Sequence, residues 1–393
     1  MTGSGHAPQK RARSIGKWAF VTLPWLLFCC SRPVTEKTAE LNATTRPAPA
    51  AMPPSAAVAS SQPAEAAKPA PIEKIDFQDV AMGTNVHFIA YTNPRVDSVQ
   101  VREAMTRALS EMKRLEAMLS EWRDDSEVGK INLNPEQWVP VGPETFSVIS
   151  RALAEGKASG GAFDITFQAM SDVWKFGSAA DSTPKVPSKA EVARRRALVD
   201  YRKVELDPAA QAVRLPRNHK IGLGGIAKGY IVDRAVDVLK QAGVQAFLVQ
   251  AGGDLYGAGR KPDGSPWISG IQDPRAPEGT SFATIELTDH AFSTAGDYAR
   301  SYVVGKRRYH HIIDPRTGYP ATASRSVTVW AEDATTADAI DDAVFILGPE
   351  AGLKLAEATP GVGVVIVDKN NKVWLSPRLQ GQVRVSRPPS DGI

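Results

Sequence analysis

The run from Tyr309 to Pro320, Tyr-His-His-Ile-Ile-Asp-Pro-Arg-Thr-Gly-Tyr-Pro, concentrates side chains that could bind a polar ligand or move a proton. Imidazole exchanges protons near neutral pH, so His310 and His311 are candidates for acid–base chemistry. The proline and the glycine bend the backbone, and we therefore expect a turn, and not a helix face, to deliver these groups. A polar surface turn without a ligand is the alternative, and the run alone favours neither interpretation.

A second group of candidates is acidic. Asp338 and Asp342 are four residues apart in a segment that reads as helical, and Asp341 lies beside them. At this spacing two carboxylates face the same way and repel by on the order of a few tenths of a kcal/mol. Mg²⁺ would relieve the repulsion, and carboxylate, carbonyl and phosphate oxygens bind it in pyrophosphate chemistry. The alternative is a solvated helix start, where the helix dipole favours acids.

Two glycine-rich segments could accommodate an anion. Gly222, Gly224 and Gly225 precede a helical pattern, and Gly252-Gly253-Asp254 follows a predicted strand. Free backbone N–H groups at a helix start bind anions, and glycine lets a ligand approach closely. The first segment matches neither the dinucleotide-binding pattern nor a P-loop. A tight turn that needs glycine for its dihedral angles is the alternative.

The elements that must position these residues are helices and strands without a regular alternation. Apolar residues recur every three or four positions in three segments, which predicts helices over Val101–Trp122, from Gly229 to Gly243, and over Ala334–Glu357. Alternation and turn residues predict strands over Ile75–Thr92 with a bend at Met82–Thr84, Val244–Val249 and Ala283–Leu287, and hairpins over Lys203–Leu215 and Val362–Leu375. The absence of a βαβ rhythm predicts an α+β fold.

Composition is that of an ordinary globular protein, with 42% hydrophobic and 23% charged residues. A net charge of +4 over 393 residues is nearly neutral, and much of the excess lies in the N-terminal segment. The body is therefore not predicted to bind nucleic acid. Both cysteines, Cys29 and Cys30, also lie in that segment, which leaves no disulfide or cysteine metal site for the body.

The N-terminus reads as an export signal over residues 1–30, because a basic stretch precedes a short apolar run that ends at Cys29-Cys30. The ending resembles a bacterial lipoprotein signal, in which we expect Cys30 to carry the lipid and anchor the chain at the periplasmic face of a membrane. Ordinary secretion or an uncleaved interfacial anchor is the alternative. Residues 31–74 are rich in proline and alanine and are expected to form a disordered tether.

The ordered set of motifs resembles the ApbE family of FAD:protein FMN transferases. The matching pieces, in chain order, are Met82–Thr84, Ser120–Trp122 with Glu127–Asn132, Gly161–Asp164, Gly224–Asp233, Gly252–Asp254, Ser293–Tyr298, His311–Pro320 and Ala337–Gly348. The resemblance implies a single mixed α/β catalytic domain of the ApbE (T-fold-like) type over residues 75–386, followed by a flexible tail, residues 387–393.

Membership in that family would imply a Mg²⁺-dependent transfer of FMN from FAD to a Thr or Ser hydroxyl of an acceptor protein, with a phosphoester as product and AMP released. The acceptor would be a flavoprotein with a Ser/Thr-Gly-Ala-Thr type of target. His311 and Asp338 would be catalytic. The FAD site would comprise Met82, Trp122, Ala162, Phe163, Asp164, Lys228, His311 and Ile312, and the metal site Gly225, Asp338, Asp341 and Asp342.

The chain departs from the family pattern at three positions. Asp342 replaces a usual threonine, Gly222 replaces a frequent aspartate, and Ile165 replaces a frequent proline. The first two leave two alternatives to transfer: metal-dependent hydrolysis of FAD to FMN and AMP, and non-catalytic FAD binding by a lipoprotein.

Overall fold

The structure is a computed structural model that describes residues 71–176 and 185–392. The predicted signal, Cys30 and most of the predicted tether lie outside the described residues. Within the described part of the chain, no helix is long and apolar enough to cross a membrane.

Helices and strands are mixed along the described chain. The helices are α1 Ser98–Leu119, α2 Glu127–Leu133, α3 Pro143–Ala158, α4 Lys189–Arg196, α5 Ala227–Gln241 and α6 Ala334–Ala358. The strands are β1 Lys74–Ala81, β2 Thr84–Tyr91, β3 Val139–Pro140, β4 Glu205–Asp207, β5 Ala212–Arg214, β6 Phe247–Ala251, β7 Asp254–Ala258, β8 Trp267–Gln272, β9 Ser281–Leu287, β10 His290–Gly296, β11 Ser301–Val304, β12 Arg307–His310, β13 Ile313–Asp314, β14 Tyr319–Pro320, β15 Ser324–Ala331, β16 Gly363–Asp368, β17 Val373–Leu375 and β18 Val383–Val385.

An antiparallel sheet forms the centre of the fold, in the order β1-β2-β6-β7-β10-β15-β16-β17. Alternate side chains of its strands enter two separate cores. Val249 and Val329 lie in the core that α1, α5 and α6 share, whereas Phe292 and Trp330 pack against the sheet formed by β8, β9 and β18. The sheet is therefore covered by helices on one face and by a smaller sheet on the other, and the prediction of an α+β fold is confirmed.

Most predicted elements are present, with shifted ends. The helix predicted to reach Trp122 ends at Leu119, because Ser120 adopts an extended conformation. The strand predicted over Val244–Val249 runs from Phe247 to Ala251. Helix α6 is interrupted at Gly348, whose φ of 75° is not helical and which precedes Pro349. The two predicted hairpins are present as β4–β5 and β16–β17.

The C-terminal residues lie against the body. Ser390 donates to the buried carboxylate of Asp273 through its backbone N–H and its hydroxyl, at 3.0 and 2.8 Å, and Arg387 lies 3.2 Å from the same carboxylate. Asp391 pairs with Arg325 at 3.3 Å. The described residues of the tail are thus held by hydrogen bonds and ion pairs, which differs from the expectation of a flexible tail over residues 387–393.

Candidate active site

The starts of α5 and α6 hold each other in place. The backbone N–H of Gly229 in α5 donates to Asp338 of α6 at 2.8 Å. In return Asp233 of α5 accepts from the N–H groups of Ala334 and Thr335, at 2.7 and 2.8 Å. First-turn N–H groups have no partner inside their own helix, so each helix satisfies donors of the other. This exchange fixes Asp338 at the junction of the two helices.

Three buried carboxylates meet at this junction. Oxygens of Asp254, Asp338 and Asp341 lie within 4.8 Å of one another, and all three residues are less than 5% exposed. Lys228 forms an ion pair with Asp254 and lies 3.8 Å from Asp338. The Ser293 hydroxyl contacts Asp254 and also Asp341, the latter at 2.6 Å. A hydroxyl has one proton to donate, so it cannot satisfy two ionised carboxylates at once.

Burial and mutual repulsion raise the pKa values of Asp338 and Asp341. Burial raises the pKa of Asp338 to about 7, opposed by Lys228 and reinforced by Asp254. Burial and the neighbouring Asp342 and Asp338 raise the pKa of Asp341 well above its ordinary value. For Lys228 burial opposes the charge, yet attraction to Asp254 and Asp338 outweighs it and raises the pKa of the ammonium. Lys228 is therefore charged at neutral pH.

Asp342 stands on the edge of this acid cluster, beside the glycine-rich segment. A Cβ on Gly225 would lie 3.4 Å from the Asp342 carboxylate and 3.1 Å from the Phe163 ring. Burial raises the pKa of Asp342 to about 6, while Lys228 opposes the rise. The structure thus brings Gly225 and Asp342, two predicted metal ligands, next to each other, and places Phe163 against them.

The donor set fits a hard divalent cation. Four carboxylates lie around the Lys228 ammonium, those of Asp254, Asp338, Asp341 and Asp342. When all four are ionised, the charges of these described side chains sum to a net negative charge. Carboxylate and carbonyl oxygens are the ligands that Mg²⁺ takes, and a cation would offset both the burial and the repulsion that raise the pKa values of Asp338, Asp341 and Asp342. The residues present are therefore compatible with Mg²⁺.

The two histidines differ in their surroundings. His310 is 3% exposed, contacts the Ala321 carbonyl through Nε2 at 2.8 Å and packs edge-on against Phe345. His311 is partly exposed, and Nδ1 of each histidine is buried without a hydrogen-bond partner. Burial, and then the positive neighbours His310, Arg300 and Lys228, lower the pKa of His311 to about 3. Its imidazole is therefore neutral at physiological pH.

The charged residues in the rest of the Tyr309–Pro320 run pair with each other. Asp314 accepts from the backbone N–H and from Nε of Arg316, at 2.9 and 2.8 Å, so this pair closes the turn. The prediction that a turn delivers the polar groups is right for Asp314 and Arg316, whereas His310 ends strand β12 and His311 directly follows that strand. Asp314 and Arg316 thus form an ion pair that stabilises the turn.

The remaining predicted FAD residues fall into three groups. Ala162 and Phe163 are buried near Gly225, and Ile312 is part of the main core. The carboxylate of Asp164 accepts from the N–H groups of Thr166 and Tyr201, at 2.8 and 2.9 Å, so it holds its own loop together.

Met82 and Trp122 lie on loops. Met82 lies in the β1–β2 turn with φ of 54°, and that turn packs on Gly252, whose Cβ position is 2.7 Å from the Thr84 hydroxyl. Trp122 is 75% exposed, a large aromatic surface that a planar ligand could cover.

Gly222 and Gly229 are required by space and not by dihedral angle. None of Gly222, Gly224, Gly225 and Gly229 has a positive φ, so the interpretation as a turn that needs glycine for its dihedral angles is wrong. A Cβ on Gly222 would lie 2.9 Å from Oε1 of Gln168, and one on Gly229 would lie 2.1 Å from the Ala334 carbonyl oxygen. Close approach of neighbouring loops explains these residues.

Three residues of the site were not among the predicted site residues. Asp254 and Ser293 complete the acid cluster, and Glu121 lies 3.6 Å from the Cβ position of Gly224. Burial raises the pKa of Glu121, while the charge of Arg300 opposes the rise. The glycine pair before Asp254 was the available signal, whereas no spacing in the sequence pointed to Ser293.

Most of the described chain matches a known protein family. The pattern of the ApbE family matches residues 82–366. The chain belongs to the ApbE family. Among its curated ApbE relatives, the FAD:protein FMN transferase of Vibrio cholerae is 30% identical over 311 residues, which are 78% of this chain and 92% of the relative. The FAD:protein FMN transferase of Escherichia coli K12 is 27% identical over 334 residues, 82% of this chain and 93% of the relative.

Solved ApbE structures share the fold. The ApbE protein of Thermotoga maritima is 35% identical with a TM-score of 0.71, covering 79% of this chain and all of that one. The flavin transferase ApbE of Vibrio cholerae is 29% identical with a TM-score of 0.70, again over 79% of this chain and all of the other. The mixed α/β ApbE fold expected for the body is confirmed.

Proposed function

We propose that this protein transfers the FMN part of FAD to a Ser or Thr hydroxyl of an acceptor protein and releases AMP. The observation that carries the proposal is the buried acid cluster around Lys228, in a chain whose relatives are named FAD:protein FMN transferases. A pyrophosphate carries several negative charges, so its displacement requires positive charge and fixed orientation more than covalent chemistry from the protein. A charged Lys228 and an oxygen-rich cation site supply both.

Gly225, Asp338, Asp341 and Asp342 would hold Mg²⁺, and Asp254 adds a carboxylate to the same cluster. When bound, Mg²⁺ neutralises charge on the pyrophosphate and favours departure of AMP. Lys228, held between Asp254 and Asp338, keeps its ammonium directed into the cluster. Gly229 and the α5–α6 junction keep Asp338 in place.

In the transfer step the acceptor hydroxyl oxygen forms a bond to the FMN phosphorus, and the bond from that phosphorus to the bridging oxygen breaks. AMP leaves with the bridging oxygen. His311 is assigned the proton of the hydroxyl, because its imidazole is neutral and its side chain, unlike that of His310, is partly exposed. Trp122, Met82 and the Ala162–Asp164 loop are assigned to the flavin and adenosine parts of FAD.

The test is an incubation of the full chain with FAD, Mg²⁺ and an acceptor domain carrying a Ser/Thr-Gly-Ala-Thr target. The expected result is an acceptor whose mass increases by one FMN, and no increase when the last threonine of the target is alanine. Asp338→Asn should slow the reaction by roughly 100-fold or more. Asp237→Asn, an exposed α5 acid paired with Arg234, is the matched control and should react normally. Absence of an adduct across several acceptors contradicts the proposal.

We further propose that the protein is exported and anchored in a bacterial membrane by a lipid on Cys30, facing the periplasm. The basic and apolar composition of residues 1–30 supports this, as does the small residue before Cys30. Cys30→Ala should release the protein into the soluble fraction of cells, and Cys29→Ala should not. Retention of the Cys30 variant in the membrane fraction contradicts the anchor.

A further inference from the structure

The β11–β12 hairpin is a small basic sheet that leads directly into the active site. Its strands pair from Ser301 with His310 to Val304 with Arg307, and they turn at Gly305. The second strand ends at His310, next to His311. The hairpin therefore extends outward from His311, the residue to which the hydroxyl proton is assigned.

The outer end of this hairpin combines positive charge with exposed apolar surface. Lys306 and Arg307 are exposed, and Val303 and Val304 are 45% and 42% exposed. From Tyr298 to Ile313 the sequence contains no aspartate or glutamate. Neither Lys306 nor Arg307 forms an ion pair with a described residue, although Arg307 lies over the Tyr309 ring at 5.0 Å. Cations and valines together suit an extended peptide that carries acidic residues.

The spacing of the hairpin fixes where those acidic residues would lie. A strand advances about 3.3 Å per residue, so Arg307 and Lys306 lie about 13–17 Å along the chain from His311. An extended segment whose target hydroxyl lies at His311 would place its fourth or fifth neighbouring residue over the cations. The aromatic packing of Tyr302 on Tyr309 and on Phe176, at 5.6 and 5.5 Å, supports the hairpin from beneath.

We propose that the β11–β12 hairpin docks the acceptor protein, by pairing Lys306 and Arg307 with acidic residues four or five positions from the target hydroxyl. This inference rests on the proposed transferase function. Charge pairs at the rim of an interface act mainly on encounter and are sensitive to salt, so the hairpin should affect KM and salt dependence more than kcat.

The experiment compares two full-length charge reversals of equal size. The test variant is Lys306→Glu with Arg307→Glu. The control is Lys157→Glu with Lys354→Glu, which are exposed residues of α3 and α6. Three acceptors are used that differ only at the fourth and fifth positions from the target: acidic, neutral and lysine-bearing. FMN transfer is measured at 50 and 300 mM salt, and FAD binding is measured by quenching of flavin fluorescence.

The expected result is a loss of roughly 10-fold or more in kcat/KM of the hairpin variant for the acidic acceptor, through KM, with FAD binding unchanged. The lysine-bearing acceptor should recover at least part of that loss with the hairpin variant only, which a merely structural role for the hairpin would not produce. Salt should slow the wild-type chain with the acidic acceptor and leave the hairpin variant little changed.

Equal kcat/KM values for the hairpin variant and the control overturn the docking proposal and leave the transferase function intact. Loss of binding to phosphatidylglycerol vesicles by the hairpin variant, with transfer unchanged, overturns it in favour of a membrane contact. If the wild-type chain binds FAD but flavinylates none of the acceptors, the proposed function itself fails, and the docking proposal fails with it.

Discussion

At the scale of single residues, the site depends on charge that the protein cannot neutralise by itself. The Ser293 hydroxyl contacts Asp254 and Asp341, and Lys228 contacts Asp254 and Asp338. One proton and one ammonium do not satisfy all these carboxylates, and the raised pKa values of Asp338 and Asp341 reflect the deficit. Perturbed groups of this kind concentrate at functional sites because the compensating charge arrives with a ligand.

The two histidines should separate into a chemical and a structural role. His311→Gln should slow FMN transfer by about 10² to 10⁴-fold, far more than it weakens FAD binding, because it removes the proton acceptor. His310→Gln should mainly lower the urea midpoint of unfolding, because the buried contact with the Ala321 carbonyl is disturbed. Single-turnover transfer and urea unfolding measure the two effects. A His310 variant that loses transfer while the His311 variant keeps it would reverse the assignment.

Residue types predicted only part of this site. Asp338, Asp341 and Asp342 share one helix, so their spacing was visible in the sequence. Asp254 and Ser293 come from different strands, and they meet because β7 and β10 pair with Leu255 opposite Phe292. No local pattern encodes that register, which is set by packing of the whole sheet. Gly222 was noted as a departure from the family, but only the structure shows Gln168 beside it.

At the scale of elements, the close contact of α5 with α6 positions the acid cluster. Gly229→Ala should destabilise the protein by about 2–3 kcal/mol, because the new Cβ would lie 2.1 Å from the Ala334 carbonyl oxygen and would separate the helices. Gly224→Ala is the control in the same segment, since its Cβ would meet only Glu121 at 3.6 Å. Urea unfolding measures both, and equal stability of the two variants would contradict the packing argument.

Asp233 provides a test of the same junction by pH. Burial raises its pKa from 3.8 to about 6, against the hydrogen bonds from Thr335 and Ala334 that lower it. The folded state therefore holds this proton to higher pH than the unfolded state does, and the contribution of Asp233 to stability is greatest below pH 3.8 and falls as pH rises to about 6.

The free energy of unfolding of wild type minus that of Asp233→Asn should accordingly decrease as pH rises from about 4 to 6 and then level off. The control is Asp237→Asn, which removes an α5 acid that pairs with Arg234 of the same helix, measured over the same pH range. If the difference in the free energy of unfolding for Asp233→Asn increases with pH instead, the hydrogen bonds from α6 lower the pKa of Asp233 by more than burial raises it.

The presence of helices and strands was predicted better than the residues at which they end. Periodicity identifies α1, α5 and α6 because one apolar face recurs through each. The apolar pattern continues to Trp122, whereas the helix ends at Leu119. Trp122 continues the pattern because it is apolar, but it is exposed and is not part of the core. An aromatic residue that continues a helical pattern and yet faces solvent is indistinguishable from a core residue in the sequence, and here the misplaced residue is one assigned to the flavin.

At the scale of the whole molecule, loops distant in the chain converge at one end of the helix pair. The β1–β2 turn packs on Gly252, the Phe163 loop on Gly225, and the loop after α1 approaches Gly224 through Glu121. The resemblance to a family predicted this convergence, and physical reasoning from single segments did not. Loops held by a rigid sheet and helix layer suit a site that must orient a large substrate.

In the proposed reaction, FMN goes to a protein hydroxyl and not to water. The most direct measurement counts AMP released and flavin covalently bound to the acceptor in one reaction of the full chain with FAD, Mg²⁺ and acceptor. Transfer predicts about one AMP for each bound FMN, and little AMP when acceptor is omitted. Equal AMP release with and without acceptor, together with no covalent flavin, would contradict transfer of FMN to the acceptor and identify hydrolysis as the activity.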